Sequence, residues 1–183
     1  MTTAVGAPQV RRAGLTGPVL LALLLAAAGC NKGAGLSEVE RAQKPKDDAK
    51  AAIERMGGVV TVFHHRLGDG WSVNLSGAQI SDELFDHLKT MGRVADLDLS
   101  RSTVTDDQVA RLGEPGVGNL ITKLDLSHTA VTDSGLEKLT GLGVLAQLKL
   151  VGTKVTPQGA ERFKSERDRH LNTLLKGTAV QLR

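Results

Sequence analysis

Tyrosine is absent, and the 183 residues include one tryptophan, three phenylalanines and one cysteine. So small an aromatic inventory leaves few platforms on which nucleic-acid bases or sugar rings stack, which disfavours both as ligands. A lone thiol, Cys30, forms no internal disulfide, so an exported form of this chain has an odd cysteine to account for. A glycine-rich phosphate loop is missing, as is any motif-supported set of nucleophile, base and orienting group. No enzyme activity and no cofactor are therefore expected.

The first thirty residues are organised differently from the rest. Arg11 and Arg12 precede an apolar run from Leu15 to Ala28, which contains Pro18 and is followed by Gly29 and Cys30. A basic segment, an apolar run and small residues before a cut make residues 1–29 a signal peptide. The run falls short of the roughly 20 helical residues that cross a hydrocarbon core, so a permanent transmembrane helix is the weaker reading. Arg11-Arg12 also reads better as an ordinary basic segment than as a twin-arginine export signal.

Residues 25–30, Leu-Ala-Ala-Ala-Gly-Cys, resemble the lipobox of bacterial lipoproteins, with Ala27 where that pattern most often has leucine. The resemblance implies that Cys30 is diacylated on its thiol and becomes the new N-terminus. The protein would then be exported and lipid-anchored to a bacterial membrane, on the outer-membrane or periplasmic side. An incidental cysteine near a cleavage site is the alternative. Cleavage removes Arg11 and Arg12, which takes the formal charge from +3 to +1. No electrostatic footprint for nucleic acid survives that loss.

Residues 30–50 hold almost no large apolar side chain and read as a flexible tether. Asp47-Asp48 can then begin a short helix through Ala51, Ala52, Ile53 and Met56, with Gly57-Gly58 as its stop. The β-branched run from Val59 to Phe63 predicts a strand, and Leu67 to Gly70 a turn into Trp71. Residues 51–70 would thus be an N-terminal helix and hairpin cap over an apolar edge. His64 and His65 are neighbours in sequence and would point to opposite faces of a strand, so no metal site is expected.

Four segments beyond that point align with one another: residues 71–80, 95–104, 122–131 and 146–155. Leu75, Leu99, Leu126 and Leu150 follow one another at intervals of 24, 27 and 24 residues. That period is the leucine-rich-repeat range. The three extra residues of the middle interval fit the stretch from Gly113 to Gly118, a surface loop by composition. In each copy two apolar residues (Val73 and Leu75, Leu97 and Leu99, Leu124 and Leu126, Leu148 and Leu150) alternate with polar ones. One face of a short strand is then buried and the other is wet.

Ser81-Asp82, Thr105-Asp106, Thr132-Asp133 and Thr156-Pro157 predict helix starts, with a hydroxyl cap followed by an acid or a proline. Thr105 to Gln108 reads as a capping box. Phe85/Leu88, Val109/Leu112, Leu136/Leu139 and Ala160/Phe163 form the inward stripe of those helices. Ala78, Ser102, Thr129 and Thr153 share a column whose hydroxyls can bond buried loop backbone. The charged run from Glu161 to His170 reads as a solvated helix face, with a basic patch touching lipid as the alternative. The expected fold is α/β: a short leucine-rich-repeat solenoid over residues 71–170, with a parallel concave sheet and convex helices. Residues 171–183 form a degenerate fifth copy that begins its pattern at Leu175.

Residues 124–136 and 148–156 resemble the leucine-rich repeats of planctomycete-type bacterial lipoproteins, and the resemblance covers roughly Ala51 to the C-terminus. Similar repeats occur in eukaryotic F-box substrate receptors, but no ubiquitin-ligase role is expected. Function in such a solenoid is expected on the concave face. Its outward positions are Ser72, Asp96, Lys123 and Gln147 in one row and Asn74, Asp98, Asp125 and Lys149 in the next, flanked by Arg101 and His128. Asp98 and Asp125 would oppose each other on adjacent strands, which calls for a compensating cation from a partner or from Lys123. Plain solvation of an exposed strand face is the alternative. The expected partners are another envelope protein at this face and the membrane through the lipid on Cys30. A structural or spacer lipoprotein with no dedicated ligand is the other reading.

Overall fold

Each apolar alternation forms a short strand whose neighbour is the corresponding strand of the next repeat. The structure is a computed structural model that describes residues 37–64, 69–118, 120–170 and 179–181. All the described elements lie in one compact unit, Glu38–Arg183. The segment expected to be a signal peptide, and Cys30 after it, lie outside the described residues. The elements are α1 (Glu38–Arg55), β1 (Val59–Phe63), β2 (Gly70–Asn74), α2 (Glu83–Met91), β3 (Val94–Asp98), α3 (Asp106–Leu112), β4 (Lys123–Asp125), α4 (Asp133–Lys138), a 3₁₀ turn (Leu139–Gly141), β5 (Gln147–Lys149), α5 (Pro157–His170) and β6 (Ala179–Gln181).

The six strands form one mixed sheet in sequence order. β1 runs antiparallel to β2, and every later neighbour is parallel. Leu97, Leu124 and Leu148 stand opposite one another, so the phase read from the sequence is the phase of the sheet. Val73, Leu75, Leu97, Leu99, Leu124, Leu126, Leu148 and Leu150 are all buried, and so are the helical pairs from Phe85/Leu88 to Ala160/Phe163. They meet in a single apolar layer between strands and helices. Truncating one such leucine to alanine typically costs about 2–5 kcal/mol.

Hydroxyls in the column after each strand do what their position suggests. Ser102 Oγ donates to the Leu99 carbonyl at 2.6 Å, Thr129 Oγ1 to Leu126 at 2.6 Å and Thr153 Oγ1 to Leu150 at 2.8 Å. Thr105 completes the capping box with Gln108, and the Thr132 and Thr156 hydroxyls accept from the Ser134 and Gly159 amides. Ser81 departs from the pattern. Asp82 occupies the N-cap of α2 in a helical conformation without a side-chain capping bond, and Ser81 Oγ lies 3.6 Å from Met56 Sδ instead.

Four other expectations are corrected. The tether does not extend to residue 50, because α1 begins at Glu38: its Glu, Arg, Gln, Lys and Ala residues are strong helix formers. Gln43 with Asp47 at 3.1 Å and Lys50 with Glu54 at 3.8 Å add support one turn apart. Only Ala49 and Ile53 of this helix are buried, which is why its apolar signal is faint. The loop after α3 is not wholly superficial, since Val117 is buried and Gly118 packs where a Cβ would strike the Leu112 carbonyl. The fifth copy is out of phase with the expectation: a pattern beginning at Leu175 sets Thr173 in the place matched to Leu148, but Val180 stands opposite Leu148. α5 is 14 residues long against nine, seven and six for α2, α3 and α4, and it reaches His170, next to the place where an even spacing would start a strand. The run from Glu161 to His170, lastly, is not a uniformly solvated face, because Arg167 in its middle is 2% exposed.

Candidate functional site

Strands of a parallel sheet sit about 4.8 Å apart, so side chains at matched positions form rows across it. On the face away from the helices the rows are those expected: Ser72, Asp96, Lys123 and Gln147, then Asn74, Asp98, Asp125 and Lys149. All eight line a shallow depression of about 240 Å³. Asp96, Asp98, Lys123, Asp125, Gln147 and Lys149 are thus brought together. Two acids meet a lysine one strand further along, Asp96 with Lys123 at 3.4 Å and Asp125 with Lys149 at 3.2 Å. Exposed pairs of this kind contribute up to about 1 kcal/mol, so they shape the charge pattern more than the stability.

The second row has a structural duty that alternation alone does not reveal. Asn74, Asp98 and Asp125 each accept, through Oδ1, the backbone N–H two residues on, from Ser76, Ser100 and Ser127, all at 2.9 Å. These are Asx turns, in which a short polar side chain takes the place of backbone in closing the bend. Burial works to raise the Asp125 carboxyl, but the Ser127 hydroxyl and amide and the Lys149 ammonium outweigh it and hold it below the usual range. The compensation expected from Lys123 or a partner therefore comes from the turn and from Lys149. Lys123 is turned to Asp96.

Arg101 and His128 do not line the depression. They occupy the turn beyond it with φ of 57° and 58°, in the same column as Gly77 at 75° and Gly152 at 68°. Two repeats thus use glycine at a left-handed position and two use a large side chain there, which costs roughly 1–2 kcal/mol per residue. The His128 ring lies against Gly152, where an added Cβ would collide with it. The His128 amide donates to the Val151 carbonyl at 2.7 Å and the Arg101 amide to Ser127 at 2.8 Å, so the turn backbone is occupied.

Sequence reasoning missed Arg167. Its guanidinium donates to the Leu142 carbonyl at 2.6 Å and the Leu145 carbonyl at 2.9 Å and lies 5.5 Å from the centre of the Phe163 ring. Burial lowers its pKa, with nearby Asp168 opposing. The signal was positional: Arg167 follows Ala160 and Phe163 at helical spacing on the inward stripe.

His64 is exposed and bonded to Asp69 at 2.7 Å, while His65 lies outside the described residues. Among the described residues no three His, Cys, Asp or Glu side chains group as metal ligands, and no helix is long and apolar enough to cross a membrane.

Residues 119–139 match the family model described as Leucine Rich repeat. The match runs from just before β4 through α4 and takes in Leu124, Leu126, Thr132 and Leu136, so the chain carries a leucine-rich repeat on a mixed α/β frame whose sheet is parallel from β2 to β6. No curated protein matches the chain.

Proposed function

We propose that this protein is a membrane-anchored leucine-rich-repeat binding module that engages another protein of the bacterial cell envelope. In this reading the sheet is the concave face of a short right-handed solenoid, α1 and the β1–β2 hairpin close its first repeat, and lipid on Cys30 holds it at the membrane of a planctomycete-type bacterium. The observation that carries the reading is the depression across β2 to β5, an exposed surface whose Asp96–Lys123 and Asp125–Lys149 pairs give it an alternating charge pattern. Complementary charges on a partner favour one register over others, which is how such patterns confer specificity. Leucine-rich repeats generally mediate protein–protein contact, and this supports the same class.

Exchanging Asp96→Lys with Lys123→Asp keeps the ion pair while reversing the polarity of the first row. The exchanged chain should keep its melting temperature and lose its partner in affinity capture from envelopes. Undiminished capture would remove the sheet face from the account. Mass spectrometry of the mature N-terminus tests the anchor, because an unmodified Cys30 excludes it. The use of Asp98 and Asp125 in turns favours a second reading, a spacer lipoprotein whose face is polar only for solubility. That reading prevails if crosslinking in intact envelopes yields no partner.

A further inference from the structure

β1 is an edge strand without the devices that usually blunt one. Its five residues, Val59 to Phe63, include no charge and no proline, and β2 is its only strand neighbour among the described residues. Such an edge is a template for pairing with another chain. Which backbone groups it offers follows from β2. The Trp71 amide donates to the Arg93 carbonyl and the Leu75 amide, just beyond the strand, to the Asp98 carbonyl, both at 2.8 Å. Alternate residues of β2 therefore face β3, and Ser72 and Asn74 between them face β1. Val59, Thr61 and Phe63, opposite Asn74, Ser72 and Gly70, are the hydrogen-bonded pairs, so Val60 and Val62 direct their N–H and C=O groups outward.

The side chains tell the same story. Val60 is buried, yet Val62 on the same face is 46% exposed, and Val59 on the other face is 61% exposed. Both are positioned as interior residues of a sheet that stops one strand early.

We propose that β1 is a homodimerisation edge, at which two copies of this chain pair antiparallel about a twofold axis beside Thr61. In that register Val60 stands opposite Val62 of the second copy, and the two such pairs exchange four backbone hydrogen bonds. Val59 lies against Phe63 of the second copy, and Thr61 meets itself. The match is self-complementary, as an isologous contact requires: each exposed valine covers a partly or fully buried residue of the same strand. Charge points to a second copy as well. The uncharged strand brings no like charges together, and His64, at its end, falls opposite Gly58. Two five-residue edges bury less than the roughly 1,000 Å² of a self-sufficient interface, so the pairing is weak and confinement to a membrane would promote it.

The test traps the register in the full chain carrying Cys30→Ser. Directly opposed residues of a non-hydrogen-bonded pair sit about 4.5 Å apart at Cα, within reach of a disulfide. On oxidation with diamide, Thr61→Cys should shift from monomer to twice that mass on a non-reducing gel. Val59→Cys and Phe63→Cys should each remain monomeric alone and crosslink when mixed. The inference is overturned if Thr61→Cys dimerises no more than Lys138→Cys on the helix side, or if the mixture crosslinks no better than its components. The three positions fail independently, and unchanged melting of each reduced variant shows that the fold is intact.

Discussion

Asp106 accepts hydrogen bonds from both the backbone amide of Thr132, at 2.8 Å, and its hydroxyl, at 2.5 Å. Thr132 is the N-cap of α4 in the following repeat, so the first acid of one helix fixes the start of the next. Asp133 repeats the contact with Thr156, amide and hydroxyl both at 2.7 Å. One repeat earlier the same column works differently: Asp82 accepts from the Gln108 side chain at 3.0 Å. The residue three positions after the threonine decides between the two forms. Gln108 fills that space with its amide, whereas Gly135 and Gly159 leave it to the carboxylate.

Replacing Gly135 with alanine should therefore destabilise the protein. In an ordinary helix the change gains about 1 kcal/mol, but here the new Cβ meets the Asp106 carboxylate. Pushing that group off Thr132 should cost roughly 1–3 kcal/mol, the loss of hydrogen bonds to a charged acceptor. Urea unfolding of both single variants and the double variant gives the coupling, and most of the loss should vanish in the Asp106→Ala background. Equal losses in both backgrounds would refute the clamp.

Acid should loosen the Asp133–Thr156 contact. The Thr156 hydroxyl and then its amide hold the Asp133 carboxyl below the usual range, against burial and with help from Arg162. Asp125 is lowered likewise. A carboxyl that binds protons less readily folded than unfolded contributes stability that is complete above the unfolded value, near 3.8, and lost as pH falls through the folded one. The urea midpoint should accordingly drop below about pH 4, and Asp133→Asn should make that drop shallower. A variant as steep as its parent would show that the contact does not titrate with folding.

Arg167→Met keeps an unbranched apolar stem, shorter than the arginine, and removes its donors. The Leu142 and Leu145 carbonyls would each lose a charged donor in a buried place, at about 2–3 kcal/mol in all. Thermal unfolding reads the effect, and a neutral result would mean that the apolar replacement repays what burial of the guanidinium costs.

At Arg101 the expected sign is opposite. Glycine there relieves the left-handed backbone and should stabilise by about 0.5–1 kcal/mol. A loss of stability on Arg101→Gly would reveal a structural role for the side chain that its exposure conceals.

Strand phase, core faces and three of the four hydroxyl caps were legible because each is a local rule repeated at a fixed interval. The solvent-facing rows were legible for the same reason. What escaped depends on contacts between repeats or on chain length. Asp106 and Asp98 look like a helix-end acid and a surface acid until the neighbouring threonine and the turn amide are in place. β6 lies outside the expected phase: α5 already reaches His170, next to the place where an even period would start a strand, and periodicity carries no information about a helix that overshoots. The first half of α1 hides for another reason: a nearly all-polar helix has the composition of a tether, and only propensity separates the two. At the candidate site, sequence put both rows on the solvent-facing side of the sheet but could not tell Asp96 and Lys123, which project from it, from Asp98 and Asp125, which also close its turns. Charge reversal at the latter pair would therefore perturb the fold together with the surface.

Site-specific photocrosslinking in intact cells bears most directly on the claim that this face binds a protein. A photoreactive side chain at Gln147, on the exposed first row, should give an adduct of one discrete mass with a second protein, and the Asp96→Lys, Lys123→Asp exchange should abolish it. The same group at Glu161, on the helix side, should give none. Equal adducts from both positions, or an adduct from Glu161 alone, would contradict the account.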